Sequence, residues 1–322
     1  MNLIGSIGRL GPLILPELDA SLGKNIQGPS LIKVLNWIDR PLGCFYFYCA
    51  DHKGLYIWLA YADALTGLWR IYKPGSLRLS QTHFAQEEIE PTEQQSQTVE
   101  PVTAGLTLPH NLMLVLCIPR IASLDVHVDE ENQKIRMCLP ELERFGVRLT
   151  RFGESPNGID FIAHPLKLAR PYLRVFAYEG VAFAMAMLSV FYRLKTGRAD
   201  FERGPTLFPS TMCHAVLWRA GDTLWIFWTN VGDAPEHIPV SSIDLSLGWM
   251  NWRGGADRPL APSLRSVAYG RQGQLRDPAI FDTHDGTLHL LNALAGEVGI
   301  GFVRLSPKSA ETAEESVLVD SR

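Results

Sequence analysis

The amino-acid sequence predicts an all-β protein, a five-bladed β-propeller whose ring is closed by an N-terminal strand in the last blade. Three observations lead there. A strand opening of one kind recurs five times, runs of aromatic and branched residues follow it, and no long amphipathic helical pattern interrupts the series. Short strands repeated in this way pack radially as blades.

The openings are Gly28-Pro-Ser-Leu-Ile-Lys, Leu124-Asp-Val-His-Val-Asp, Arg170-Pro-Tyr-Leu-Arg-Val-Phe, His214-Ala-Val-Leu-Trp and Arg276-Asp-Pro-Ala-Ile-Phe. Each passes into a turn, at Leu42-Gly43, Glu131-Asn132, Glu179-Gly180, Gly221-Asp222 and Asp285-Gly286, so each unit begins as a hairpin. Second strands follow in Cys44-Phe-Tyr-Phe-Tyr-Cys, Leu224-Trp-Ile-Phe-Trp-Thr and Leu288-His-Leu-Leu-Asn-Ala, whose continuous apolar character suits strands buried on both faces. Third strands read at Leu55-Tyr-Ile-Trp-Leu-Ala-Tyr, Val147-Arg-Leu-Thr-Arg-Phe, Ile238-Pro-Val-Ser-Ser-Ile and Ile300-Gly-Phe-Val-Arg-Leu. Weaker fourth strands, at Trp69-Arg-Ile-Tyr and Trp249-Met-Asn-Trp, form the outer edges.

These units give blades at about 26–80, 121–168, 169–210, 211–255 and 274–306 in one domain, 1–306, with an exposed insertion at 86–105 rich in Glu, Gln and Pro. The last blade lacks a fourth strand of its own, because 307–322 is a polar tail without periodicity. The N-terminal segment 9–16 supplies it. Leu13-Ile-Leu, flanked by Pro12 and Pro16, is expected beside Ile300 to Leu305, at an edge where residues that cannot donate a ladder hydrogen bond are tolerated.

Composition narrows the function classes. The 322 residues are 46% hydrophobic and 20% charged, which suits a globular protein, and a net charge of −4 gives no basic stripe for nucleic acid. No apolar run approaches the roughly 18 residues of a membrane helix. The start, Met1-Asn-Leu-Ile-Gly-Ser-Ile-Gly-Arg, lacks the features of a signal peptide. The five cysteines, Cys44, Cys49, Cys117, Cys138 and Cys213, form no CxxC pair, so reduced thiols and a cytoplasmic location are expected. Hydrolase and phosphate-binding motifs of the GxSxG, GxxxxGK[ST] and GxGxxG kinds are absent, and His52, His127 and His214 have no metal-ligand spacing. No metal or cofactor is expected.

Tyr56-Ile-Trp-Leu-Ala-Tyr-Ala-Asp-Ala-Leu-Thr-Gly-Leu-Trp and Arg276-Asp-Pro-Ala-Ile-Phe, together with the five openings, resemble the propeller glycosidases of glycoside hydrolase family 43 and its relatives over roughly Leu13 to Leu305. The resemblance implies three carboxylates at the starts of the innermost strands of blades one, two and three, acting as base, orienting acid and proton donor. Asp125 matches the second. Gly28 stands at the place of the first, and Ala169 or Arg170 at that of the third.

Propeller topology brings two loop sets to one face. The strand openings contribute Asp125, His127, Arg170, Tyr172, Arg174, His214, Arg276 and Asp277; the loops between second and third strands contribute Asp51, His52, Lys53, Asp233, Glu236 and Glu297. Polar groups on loops over a rigid scaffold suit ligand binding, and three arginines suit an anionic sugar or, equally, ion pairs with the neighbouring acids. Tyr172, Trp58 and Trp228 offer either a platform for a sugar ring or core packing. The expected function is a glycan-processing glycosidase acting on a small saccharide. In it Asp125 positions or activates, Asp277 is the base and Glu236 or Glu297 the proton donor, since cleavage needs one protonated and one ionised carboxyl. The alternatives are a propeller that binds carbohydrate without cleaving it, and one that serves only as a protein-interaction surface.

Overall fold

The computed structural model of the chain describes residues 4–51, 54–97, 112–197, 200–233, 236–255, 258–259, 275–283, 285–294 and 296–307. Five four-stranded antiparallel sheets form the five blades of a propeller. Blade 1 holds β2 (Gln27–Lys33), β3 (Phe45–Ala50), β4 (Tyr56–Ala62) and β5 (Arg70–Arg78). Blade 2 holds β6 (Asp125–Asp129), β7 (Lys134–Arg144), β8 (Val147–Ser155) and β9 (Ile162–Ala163). Blade 3 holds β10 (Arg174–Tyr178), β11 (Val181–Ala186), β12 (Val190–Leu194) and β13 (Phe201–Thr206). Blade 4 holds β14 (Met212–Ala220), β15 (Thr223–Asn230), β16 (Pro239–Asp244) and β17 (Arg258–Pro259).

The last blade runs β18 (Leu275–Asp282), β19 (Leu288–Leu294), β20 (Ile300–Pro307) and then β1 (Ile4–Ile14), so the two ends of the chain share one sheet. The closing strand pairs from Ile4 with Pro307 to Ile14 with Ile300, starting earlier and ending sooner than the 9–16 read from sequence. Pro12 lies on this outer edge, where its missing N–H costs no ladder bond.

Side-chain alternation explains why the second strands are apolar throughout. In β3, Tyr46, Tyr48 and Ala50 pack into the core shared with blade 2, while Phe47 and Cys49 pack into the core shared with blade 5. In β15, Leu224, Ile226 and Trp228 face blade 3 and Phe227 faces blade 5. Every blade-to-blade seam has such a buried cluster, and each blade is stabilised by both neighbours rather than by a core of its own.

Two elements differ from the sequence reading. Trp249–Asn251 is a single turn of 3-10 helix closed by Asn251 N–H on Gly248 C=O at 2.6 Å, and the outer strand of blade 4 is Arg258–Pro259. Here the aromatic ring is used for packing, with the Arg193 guanidinium 4.7 Å above the Trp249 ring. In blade 3 the innermost strand starts at Arg174, because Tyr172 adopts φ 58°, which no strand can continue. Among the described residues no helix is long and apolar enough to cross a membrane.

Candidate functional site

Four of the five blades enter the innermost strand through a left-handed residue: Gly28 (φ 63°), Ser123 (φ 49°), Tyr172 (φ 58°) and Asp277 (φ 46°). Three of these are not glycine, and such conformations cost on the order of 1–3 kcal/mol each and cluster where function demands them. The openings also repeat in detail. Gln27-Gly28-Pro29-Ser30 and Arg276-Asp277-Pro278-Ala279 each contain a register shift against the second strand, as does Met212 to Ala215 around His214. Ser123-Leu124-Asp125 is likewise echoed by Tyr172-Leu173-Arg174, with both leucines fully buried.

Gly28 is glycine for a second reason. A Cβ there would meet Ser123 Cα at 2.7 Å and Ser123 N at 2.8 Å, so the backbone of blade 2 fills the place of a side chain. The carboxylate that the resemblance implies at this position has no room. Instead the seam is tied by Ser123 Oγ donating to Gln27 Oε1 at 3.0 Å and by Val126 N–H donating to Ser30 Oγ at 3.0 Å.

On the side of blades 4 and 5, acids and cations are closely matched. Arg276 Nε lies 2.8 Å from both carboxylate oxygens of Glu236, and its Nη2 donates to Glu236 Oε1 at 2.6 Å. Its Nη1 is 3.8 Å from Glu297 Oε1, while Glu297 Oε2 accepts from Asn25 Nδ2 at 2.8 Å. The bonds from Glu236 raise the Arg276 pKa despite burial. Asp277, 2% exposed, has His214 Nε2 at 3.2 Å. Burial alone would lower the His214 pKa; the Asp277 carboxylate outweighs it and holds the imidazole well above its ordinary value.

Blades 2 and 3 contribute Asp125, His127 and Arg174. Asp125 Oδ2 lies 2.7 Å from His127 Nε2, and Arg174 Nη1 is 3.9 Å from Asp125 Oδ1. Arg174 is otherwise a strut, its Nε donating to Ala215 C=O at 2.8 Å and its Nη1 to Leu124 C=O at 3.1 Å, so one guanidinium joins three blades. Burial opposes ionisation of both members of the Asp125–His127 pair, yet their mutual attraction wins, lowering the Asp125 pKa and raising that of His127.

A cavity beside this pair is lined by Arg120, Ala122, Ser123, Pro140, Glu141, Arg148 and Tyr172. Glu141, 1% exposed, accepts on Oε2 from the backbone N–H groups of Arg120 at 3.3 Å and Leu142 at 3.1 Å. Its cationic neighbours stand farther off, Arg148 Nη2 at 3.7 Å and Arg120 Nε at 4.0 Å. Burial pushes the Glu141 carboxyl up to about 7 against the pull of both arginines. Burial, and then repulsion from Arg148, lower the Arg120 pKa. Arg148 Nε and Nη2 are buried without a hydrogen-bond partner among the described residues. The Tyr172 ring meets the His214 imidazole edge-on with centroids 4.9 Å apart, linking the cavity to Asp277.

Other expected site residues fall elsewhere. Arg170 is exposed, and its C=O accepts from Thr150 Oγ1 at 2.7 Å. Asp51 lies in the β3–β4 loop, and Asp233 accepts from Asn230 Nδ2 at 2.9 Å with His237 Nδ1 3.3 Å away. Trp58 and Trp228 are core residues, the latter donating to Ser241 Oγ at 2.9 Å. His52 and Lys53 lie outside the described residues. Among the described residues no group of three or more His, Cys, Asp or Glu side chains gathers as a metal site. Arg120, Ser123, Glu141 and Arg148 escaped the sequence reading. The one signal for them was Glu141 itself, an acid inside the otherwise apolar run Met137 to Leu142.

No protein-family model matches the chain. An uncharacterized protein of Acanthamoeba polyphaga mimivirus is 26% identical, covering 89% of this chain and 85% of its own length. Among solved structures, the catalytic domain of a Coprinopsis cinerea glycoside hydrolase family 62 α-L-arabinofuranosidase superposes with a TM-score of 0.60 at 12% identity, covering 95% of this chain and 98% of that one. A family 43 β-xylosidase/α-arabinofuranosidase from a compost microbial metagenome, in complex with xylotriose, gives a TM-score of 0.58 at 9% identity over 94% and 96% of the two chains. The fold is that of the family 43 and 62 glycosidase propellers. A third propeller, the Phanerochaete chrysosporium exo-β-1,3-galactanase with galactose, covers 89% of this chain and 61% of its own at a TM-score of 0.53 and 11% identity.

Proposed function

We propose that this protein binds a small saccharide at the blade-entry face of a glycosidase-type propeller and does not cleave it by the arrangement the fold resemblance implies. The observation that carries this reading is the state of the four expected carboxylates. Glu236 is clamped by Arg276, Glu297 lies between Arg276 and Asn25, Asp277 faces His214, and Asp125 faces His127 and Arg174. A glycosidase needs one carboxyl that holds a proton at working pH beside one that does not. Glu236, Glu297 and Asp277 each have a cation within 4 Å, attraction from His127 and Arg174 outweighs burial and lowers the Asp125 pKa, and the backbone of Ser123 occupies the place of a first-blade acid.

The saccharide itself is supported by the fold, since solved propellers of this kind carry xylotriose or galactose. A charged, strained blade-entry face also disfavours a role as a plain protein-interaction surface, which calls for an apolar patch. Hydrolysis remains the second reading, and Glu141 is the observation in its favour: its carboxyl, up at about 7, is poised as a general acid should be. Calorimetry with xylose, arabinose, galactose and their oligosaccharides, run beside a glycosidase screen at high protein concentration, separates the two. Binding without turnover is the expected result. Turnover that is lost in both Asp277→Asn and Glu141→Gln would establish the hydrolase.

A further inference from the structure

The arginines that the sequence offers for an acidic ligand are already engaged. Arg276 is spent on Glu236 and Glu297, Arg174 on two backbone carbonyls and Asp125, and Arg170 is out on the surface. Cationic charge in excess of its acidic partner lies instead in the cavity between blades 2 and 3. Two guanidiniums there share a single carboxylate that neither reaches at hydrogen-bond distance. The Arg120 side chain is 9% exposed, and two nitrogens of Arg148 are buried without an acceptor among the described residues. Buried charge that is neither paired nor hydrogen-bonded is costly, and an oxyanion placed between the two forks would relieve it.

We propose that Arg120 and Arg148 form a subsite for the carboxylate of an acidic sugar in the cavity that Tyr172 also lines. The subsite rests on the saccharide reading for the rest of the ligand, which is then a uronic acid. Charge selects the carboxylate. Two guanidiniums face the single carboxyl of Glu141, so the cavity carries net positive charge that an anion balances. The planar fork of arginine also matches a carboxylate in two-point contact. Arg120 further feels Glu297, which restrains the cavity from accepting a second negative charge.

The test is calorimetry on the full chain with D-glucuronic and D-galacturonic acids, the matching neutral glucose and galactose, acetate and inorganic phosphate. It uses the wild type, Arg148→Gln and Arg148→Lys. The uronic acids should bind at least about tenfold more tightly than the neutral sugars, the factor that a charge-assisted hydrogen bond supplies. Arg148→Gln should erase that preference while neutral-sugar binding stays. Arg148→Lys, which keeps the charge and loses the fork, should lose most of it and answers the question if the glutamine variant fails to fold. Equal affinity for uronic and neutral sugars, or a preference that survives both substitutions, would overturn the subsite and leave the saccharide reading standing. Arg148-dependent binding of acetate with no sugar bound would keep the subsite and remove the saccharide reading. Phosphate binding more tightly than acetate through Arg148 would overturn the carboxylate assignment.

Discussion

The two sides of the blade-entry face solve one electrostatic problem in opposite ways. Between blades 4 and 5, Arg276 meets Glu236 in two-point contact and His214 stands 3.2 Å from Asp277, so buried charges end on partners. Between blades 2 and 3, the guanidiniums of Arg120 and Arg148 approach Glu141 no closer than 3.7 Å, and burial drives the carboxyl toward its neutral form. The paired side is built like a strut. The underpaired side has the form the proposed subsite needs, because groups that meet a ligand must be left incompletely satisfied by the protein.

The largest disruption of the paired side should come from opening the ring. Deleting residues 1–17 removes β1 with its fully buried Ile14, exposes the outer edge of β20 and uncovers Ile300, the residue Ile14 pairs with. The expected outcome in a thermal melt is a fall in Tm of more than about 5 °C, since several kcal/mol are lost and each is worth about 1.5 °C at 322 residues. Sugar binding measured by calorimetry should vanish with it. A truncated chain that melts like the intact one would mean that the pairing of blades 4 and 5 does not depend on closure.

A matched pair of substitutions tests the contrast directly. Arg276→Met removes the two-point partner of Glu236 and should cost about 3–5 kcal/mol in chemical denaturation. Arg148→Met removes a guanidinium that repels Arg120 and, among the described residues, makes no hydrogen bond through Nε or Nη2, so it should change stability by less than about 1 kcal/mol in either direction. Equal losses in the two variants would abolish the distinction between strut and subsite.

Gly28 borders the underpaired side, and Gly28→Asp would formally restore the first acid of the family pattern. The restored side chain has to displace the Ser123 backbone and adopt φ 63°, so the expected result is a loss of about 2–4 kcal/mol and no gain of glycosidase activity. Activity gained without loss of stability would show that the seam yields and that the acid set is recoverable.

Much of the paired side was legible in the chain. Strands such as Phe45–Ala50 and Leu288–Leu294 announce burial on both faces, and turn residues such as Glu179-Gly180, both left-handed in the structure, mark the hairpins. Once blades are counted, topology alone sends openings and second loops to one end, which brings Arg276, Glu236, Asp277 and His214 together. The cavity between blades 2 and 3 was not legible. Arg120 comes from a connection with no motif, and Arg148 and Glu141 come from strand positions where a lone charge ordinarily faces solvent. The Trp249 turn was misread for a related reason, since aromatic residues favour strands only where a neighbouring strand receives them.

The smallest expected effect is the sharpest test of the underpaired side, because it isolates Glu141. In the folded chain its carboxyl is raised from 4.5 to about 7 by burial, with Arg120 and Arg148 as the charged groups facing it and Tyr172 lining the same cavity. A raised carboxyl pKa means that folding favours the protonated form. The stability associated with it is therefore fully present below pH 4.5 and is lost as the pH rises through about 7. Glu141→Gln keeps an acceptor for the N–H groups of Arg120 and Leu142 but cannot titrate. The difference in Tm between wild type and variant should shift toward the variant from pH 4.5 to 7 and then level off, whereas the other titrating groups, His127, His214 and Asp125 among them, cancel in that difference. The same protonation removes the anion beside Arg120 and Arg148, so wild-type affinity for glucuronic acid should rise as the pH falls from 8 to 6, while the variant binds it tightly and without that slope. A wild-type curve parallel to the variant in both measurements would place Glu141 among the permanently ionised struts, and the two sides of the face would then be alike.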